Sequence, residues 1–115
     1  MVITSPIDPN LKRGSAELAI LCVLQDGPLH GYEIARRIER QTDGALTFDL
    51  ASLYPLLYRM ERDKWLDAEW EEGANQRRRR CYRLTQTGRR QLKPLREQWR
   101  QLFLAVEKLA AVPNA

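Results

Sequence analysis

The sequence predicts a mainly α fold with one small β-hairpin, in the order three helices, hairpin, long helix. Three observations carry that prediction. Apolar residues recur at helical spacing in three stretches between Asn10 and Asp63. Residues Leu66 to Glu72 alternate apolar with acidic, the period of a half-buried strand. From Leu92 to Leu109 apolar residues recur at spacings of three and four, the stripe of a helix that packs against another helix.

A chain of 115 residues is one domain with a modest core and little room for a buried enzyme pocket. No run reaches the roughly 18 apolar residues that a membrane span requires. Met1 to Asn10 lacks the basic-then-apolar order of a secretory signal. Cys22 lies in an apolar stretch and Cys81 among arginines, so no disulfide framework is expected, and a reducing cytoplasm fits. The net charge is only +4, but it is unevenly spread. Gly73 to Arg96 holds nine Arg or Lys residues and no acid, directly after the acidic Asp67, Glu69, Glu71 and Glu72. A basic block at moderate net charge points to a localised anionic partner.

The elements follow in order. Ser5-Pro6-Ile7-Asp8-Pro9 reads as an irregular arm, because each proline disfavours helix in the residue before it. A first helix is expected from Asn10 to Gln25, buried in its second half (Ile20, Leu21, Val23, Leu24) and ended by Gly27-Pro28. A second spans Gly31 to Thr42, with Ile34, Ala35 and Ile38 inward. A third spans Leu50 to Asp63, with Asp49 as N-cap and Leu53, Leu57 and Met60 on one face. Pro55 is tolerated near its first turn, where backbone N–H groups have no intrahelical partner.

The hairpin pairs Leu66–Glu72 with a return strand from Arg79 to Leu84 through Gly73-Ala74-Asn75-Gln76. The expected register sets Leu66 against Leu84, Ala68 against Tyr82 and Trp70 against Arg80 on the inner face. On the outer face it sets Asp67 against Arg83 and Glu71 against Arg79, so that opposite charges meet. Arg80 is placed to stack on Trp70. One helix then runs from the Thr85 N-cap to Ala111, about 40 Å at 1.5 Å per residue, with Pro94 interrupting its hydrogen bonding. That is longer than such a domain is wide. The stripe of Leu92, Leu95, Trp99, Leu102, Val106 and Leu109, with Phe103 beside it, therefore predicts a homodimer interface rather than an exposed apolar patch.

Two helices joined by a turn, followed by a hairpin, make a winged helix-turn-helix. Residues 10–84 form that head, 1–9 a flexible arm and 85–115 a dimerisation helix. In such a head the third helix enters the major groove of double-stranded DNA, and a wing tip carrying Asn75, Gln76, Arg77 and Arg78 meets phosphate or the minor groove. Tyr54 lies off the Leu53–Leu57–Met60 stripe, which predicts an exposed ring.

Four stretches carry a family resemblance: Lys12-Arg13-Gly14 through Glu17-Leu18, Gly27-Pro28-Leu29-His30-Gly31-Tyr32-Glu33-Ile34, Ser52-Leu53-Tyr54-Pro55 through Arg59-Met60-Glu61, and Arg78-Arg79-Arg80 through Tyr82-Arg83-Leu84-Thr85 to Gly88. In order and at these spacings, they make the chain resemble the PadR family of bacterial transcriptional regulators in its short form, with a single C-terminal helix. The resemblance implies a winged-helix dimer, usually a repressor, on a dyad operator. By position it assigns DNA contact to Arg13, to Ser52, Tyr54, Pro55 and Arg59 of the third helix, and to Arg77, Arg78 and Arg79 of the wing. It also marks Trp99, near the expected twofold axis, as a candidate for binding a planar small-molecule effector. The chain departs from the family at Asp63-Lys64, where a glycine is common, so a non-glycine residue must pass through the helix C-terminus. Ala51, where a glycine or polar residue is frequent, leaves base preference open.

Other readings remain. The head could instead be a protein-interaction module whose wing docks an acidic surface, or an RNA-binding module. His30, the only histidine, lies in the Leu29-His30-Gly31 turn and reads as a capping or packing residue. No convergent set of nucleophilic or metal-binding groups is visible, so neither enzyme activity, cofactor nor metal is expected. Arginines flanking Cys81 would lower its thiol pKa and leave redox sensing open.

Overall fold

A computed structural model describes residues 15–73 and 77–111. Arg13, the start of the first helix, the N-terminal arm, and the tip residues Asn75 and Gln76 lie outside the described residues. Helix α1 (Ala16–Val23) runs into a single 3-10 turn (Leu24–Asp26), and Gly27 ends it at φ 144°, a conformation that L side chains rarely adopt. A two-residue strand β1 (Leu29–His30) leads directly into helix α2 (Gly31–Gln41). Helix α3 (Leu50–Arg62), strand β2 (Leu66–Glu72), strand β3 (Arg78–Leu84) and helix α4 (Gln86–Ala110) complete the chain.

The expected hairpin register is the one observed, from Leu66 opposite Leu84 to Glu71 opposite Arg79. Pairing continues one step further, to Glu72 opposite Arg78, so Arg78 belongs to the strand and not to the tip. The sheet also has a third strand, which no periodicity in the sequence announces. β1 pairs antiparallel with β3, placing Leu29 opposite Tyr82 and His30 opposite Cys81, and the order is β1-β3-β2.

Both expected caps form. The Asp49 carboxylate accepts from the Ser52 N–H at 2.8 Å, and the Thr85 hydroxyl accepts from the Gly88 N–H at 2.9 Å. Lys64 takes φ 69° as the chain leaves α3, the left-handed turn expected of a non-glycine residue there. The core joins Ile20, Leu21 and Leu24 of α1, Ile34 and Ile38 of α2, Leu53, Leu57 and Met60 of α3, and Leu66 and Tyr82 of the sheet. Among the described residues, no helix is long and apolar enough to cross a membrane.

Tyr82 is fully buried, and its hydroxyl has no hydrogen-bond partner among the described residues. Burial pushes its phenol up to about 12. The folded state thus favours the neutral phenol. Its stabilising effect is complete below pH 10, the ordinary value, and is lost as pH rises towards 12. Two pH units correspond to about 2–3 kcal/mol. Tyr82→Phe is expected to keep full stability at pH 7 and to lack this alkaline loss. Denaturant unfolding at pH 7 and pH 11 checks both points, and a large loss at pH 7 would show that the hydroxyl has a structural partner.

Helix α4 divides in two. Leu92 and Leu95 are partly buried and pack against the core of their own domain. Trp99 is half-buried, and beyond it Leu102, Phe103, Leu104, Val106 and Leu109 are exposed. The radius of gyration is 16.2 Å, against about 13 Å for a compact chain of this length, because this distal half projects from the head.

Candidate nucleic-acid interface

The turn between α2 and α3 sets α3 with Leu53, Leu57 and Met60 buried and Ala51, Ser52, Pro55, Tyr58, Arg59 and Arg62 exposed. Ser52 and Pro55 are therefore open to a partner. Tyr54 is half-buried instead of exposed. Its ring fills the space above Gly31, where an added Cβ would lie 2.7 Å from a ring carbon. It stacks on Tyr58 with ring centres 6.3 Å apart. Tyr58 lies off the buried stripe, as its helical position predicts, but the resemblance assigned it no DNA contact; its place one turn beyond Tyr54 was the available signal. Arg59 is exposed but its guanidinium pairs with Glu17 of α1, so in this structure it braces α3 against α1 rather than pointing outward unpaired.

Across from α3 stands the wing. A cleft of about 210 Å³ separates them, lined by Tyr32, Tyr54, Tyr58, Trp70, Arg78 and Arg80 among others. Trp70 lies on the inner face as expected, but past the edge of the core, where it is 54% exposed. Arg78 and Arg80 both lie over its ring, at 5.1 and 5.4 Å from the centroid. Arg80 also pairs with Glu61 of α3, tying the wing to that helix. Arg83 meets Glu69 at 3.0 Å and Asp67 at 4.0 Å on the outer face.

Arg77, Arg78 and Arg79 are exposed and have no carboxylate within salt-bridge distance among the described residues. The expected Glu71–Arg79 pair is aligned in register but does not form. The Glu71 carboxylate turns to His30 Nε2, 3.1 Å away. The acidic strand therefore neutralises Arg83 and leaves the end of β3 positive.

His30 stands before the first turn of α2, and Glu33 reaches back to accept from its backbone N–H at 3.2 Å, the reciprocal half of a capping box. Accepting hydrogen bonds from His30 holds the Glu33 carboxyl below its ordinary value. Cys81 behaves opposite to expectation. Burial, and then the carboxylates of Glu71, Glu33 and Glu69, push its thiol up.

A trihelical head, a helix exposing a polar and aromatic face, and an arginine-bearing wing across a cleft define a winged helix-turn-helix transcriptional regulator. The chain belongs to the PadR-like family of transcriptional regulators, whose family model matches residues 20–94. It is similar to a transcriptional regulator from Clostridium thermocellum (28% identical, TM-score 0.81, covering 91% of this chain and 99% of that one). It is also similar to a PadR family regulator from Eggerthella lenta (32% identical, TM-score 0.75, covering 87% of this chain and 85% of that one). Bacillus subtilis PadR, solved in complex with operator DNA, shares the fold at 21% identity and TM-score 0.66, over 70% of this chain and 46% of that one.

Proposed function

We propose that this regulator binds a dyad operator in double-stranded DNA as a homodimer and represses the adjacent genes, in the cytoplasm. The observation that carries the reading is the arginine-rich end of β3. Among the described residues Arg77, Arg78 and Arg79 lack acidic partners, and Arg78 and Arg79 line the cleft with Tyr58 of α3, a helix on which Ser52 and Pro55 are also exposed. Phosphate contact from the wing fixes register, while the α3 face meets base edges. Tyr54 supports Tyr58 from behind, and Arg59 reaches phosphate after exchanging Glu17 for it. The complex of Bacillus subtilis PadR with operator DNA supports DNA as the partner class.

Twofold symmetry comes from the distal half of α4. Leu102, Val106 and Leu109, which continue the heptad stripe, are exposed in the single chain, as is Phe103 beside it. Trp99, half-buried where that stripe leaves the head, is the residue against which a planar effector would rest. Leu102→Asp combined with Val106→Asp is expected to give a folded monomer, because neither side chain belongs to the core of its own domain. Losing the second half-site should lower operator affinity by about 100-fold or more. Sedimentation and fluorescence anisotropy on a selected operator test both. A dimeric double variant with full affinity would contradict the assignment.

A further inference from the structure

The strand order β1-β3-β2 gathers side chains that are far apart along the chain. His30 of β1, Glu71 of β2 and Cys81 of β3 offer ligand atoms that all lie within 4.8 Å of one another. His30 Nε2 is 3.1 Å from a Glu71 oxygen, and His30 Nδ1 is 2.6 Å from Glu33 Oε1. Beside them opens a hollow of about 40 Å³ bounded by Pro28, Glu69, Glu71, Cys81 and Arg83.

We propose that His30, Glu71 and Cys81 form a binding site for a zinc-type divalent transition metal, with Glu33 as the residue that orients His30. The donor set is one imidazole nitrogen, one thiolate and one carboxylate, which suits zinc and its neighbours and not the oxygen-seeking magnesium or calcium. Bonds of about 2.0 Å to nitrogen and about 2.3 Å to sulfur set tetrahedral ligand atoms roughly 3.3–3.7 Å apart. The observed cluster is therefore about an ångström from closed, a distance that rotation of the exposed Glu71 side chain covers. Glu33 supplies what metal-bound histidines characteristically have, a carboxylate on the other ring nitrogen that fixes the tautomer and leaves Nε2 free for the ion. Glu33, Glu69 and Glu71 surround the site with negative charge, of which Arg83 engages Glu69. The hollow has room for the water that completes four-coordination. Binding releases the thiol proton to solvent. The ion would tie the start of α2 to both wing strands. The site stands independently of the DNA-binding proposal.

Cobalt(II) added to the full chain under reducing conditions tests it. The expected result is a near-ultraviolet thiolate-to-cobalt charge-transfer band with the visible bands of tetrahedral cobalt, saturating at one ion per chain and displaced by zinc. Cys81→Ser should abolish the near-ultraviolet band, while Cys22→Ser, which removes the other cysteine, should keep it. Glu33→Gln should retain the spectrum but weaken affinity about 10–100-fold. Should Cys81→Ser fail to fold, Glu71→Gln decides the matter, because Glu71 is exposed and its change leaves the core untouched. Absence of the charge-transfer band, its survival in Cys81→Ser, or unchanged cobalt affinity in Glu71→Gln would overturn the proposal.

Discussion

Alanine at Arg77, Arg78 and Arg79 together is expected to weaken binding to every duplex and to flatten its salt dependence. These guanidiniums have no acidic partner among the described residues, so their charge is available to phosphate. Each phosphate contact contributes about 0.9 to the slope of log K against log salt, so three per chain in a homodimer amount to a change of about 5. Specificity should fall much less than affinity, because phosphate contacts position the protein while base contacts discriminate. Folding should be little affected, since all three residues are exposed; Arg78 lies over Trp70 and the Arg79 guanidinium over Gly73, both outside the core. Anisotropy titrations of an operator and a scrambled duplex across a salt series give the slope directly. A slope equal to that of the unmodified protein would remove the wing from the interface.

Gly88→Ala is expected to destabilise the fold by about 1–3 kcal/mol, and by more if nothing yields. A Cβ at this position would lie 2.1 Å from the Trp65 carbonyl oxygen. That oxygen cannot simply retreat, because it accepts from the Thr85 N–H and from the Thr85 hydroxyl, both at 3.0 Å. The same hydroxyl caps α4, so the first turn of that helix, its cap and the start of β2 form one junction. Relieving the clash breaks the cap or lifts α4 from the head. A fall in Tm on the order of 10 °C follows from the size of the domain. Thermal unfolding measures it, and an unchanged Tm would show that α4 is not seated on Trp65 as described.

What could be read from the sequence depended on how local its cause was. The hairpin register was legible because alternating acids on β2 and arginines on β3 allow one alignment in which charges pair and Leu66, Ala68 and Tyr82 face inward. The caps at Asp49 and Thr85 were legible for the same reason: each bonds an N–H three residues ahead. Strand β1 was not. Two residues between Pro28 and a helix show no periodicity, and only their pairing with β3 makes them a strand.

The consequences of β1 were hidden with it. His30, Glu71 and Cys81 meet only because β1 joins the sheet, and Glu71 deserts Arg79 for the same reason. Arg59 was assigned outward because its partner, Glu17, is 42 positions away and on another helix. Tyr54 was expected to be exposed because helical periodicity does not reveal the space above Gly31 that its ring fills. The α4 stripe has uniform spacing, so the sequence could not mark where it passes from its own core, at Leu92 and Leu95, to the free surface beyond Trp99.

The most direct test of the central claim is to incubate the purified protein with sheared DNA from its source genome and sequence what it retains. A dimeric regulator predicts enrichment of one or a few sites carrying a dyad, with half-sites one or two helical turns apart. Uniform retention that disappears with rising salt would mean that the basic wing holds phosphate without reading sequence, and would contradict the account.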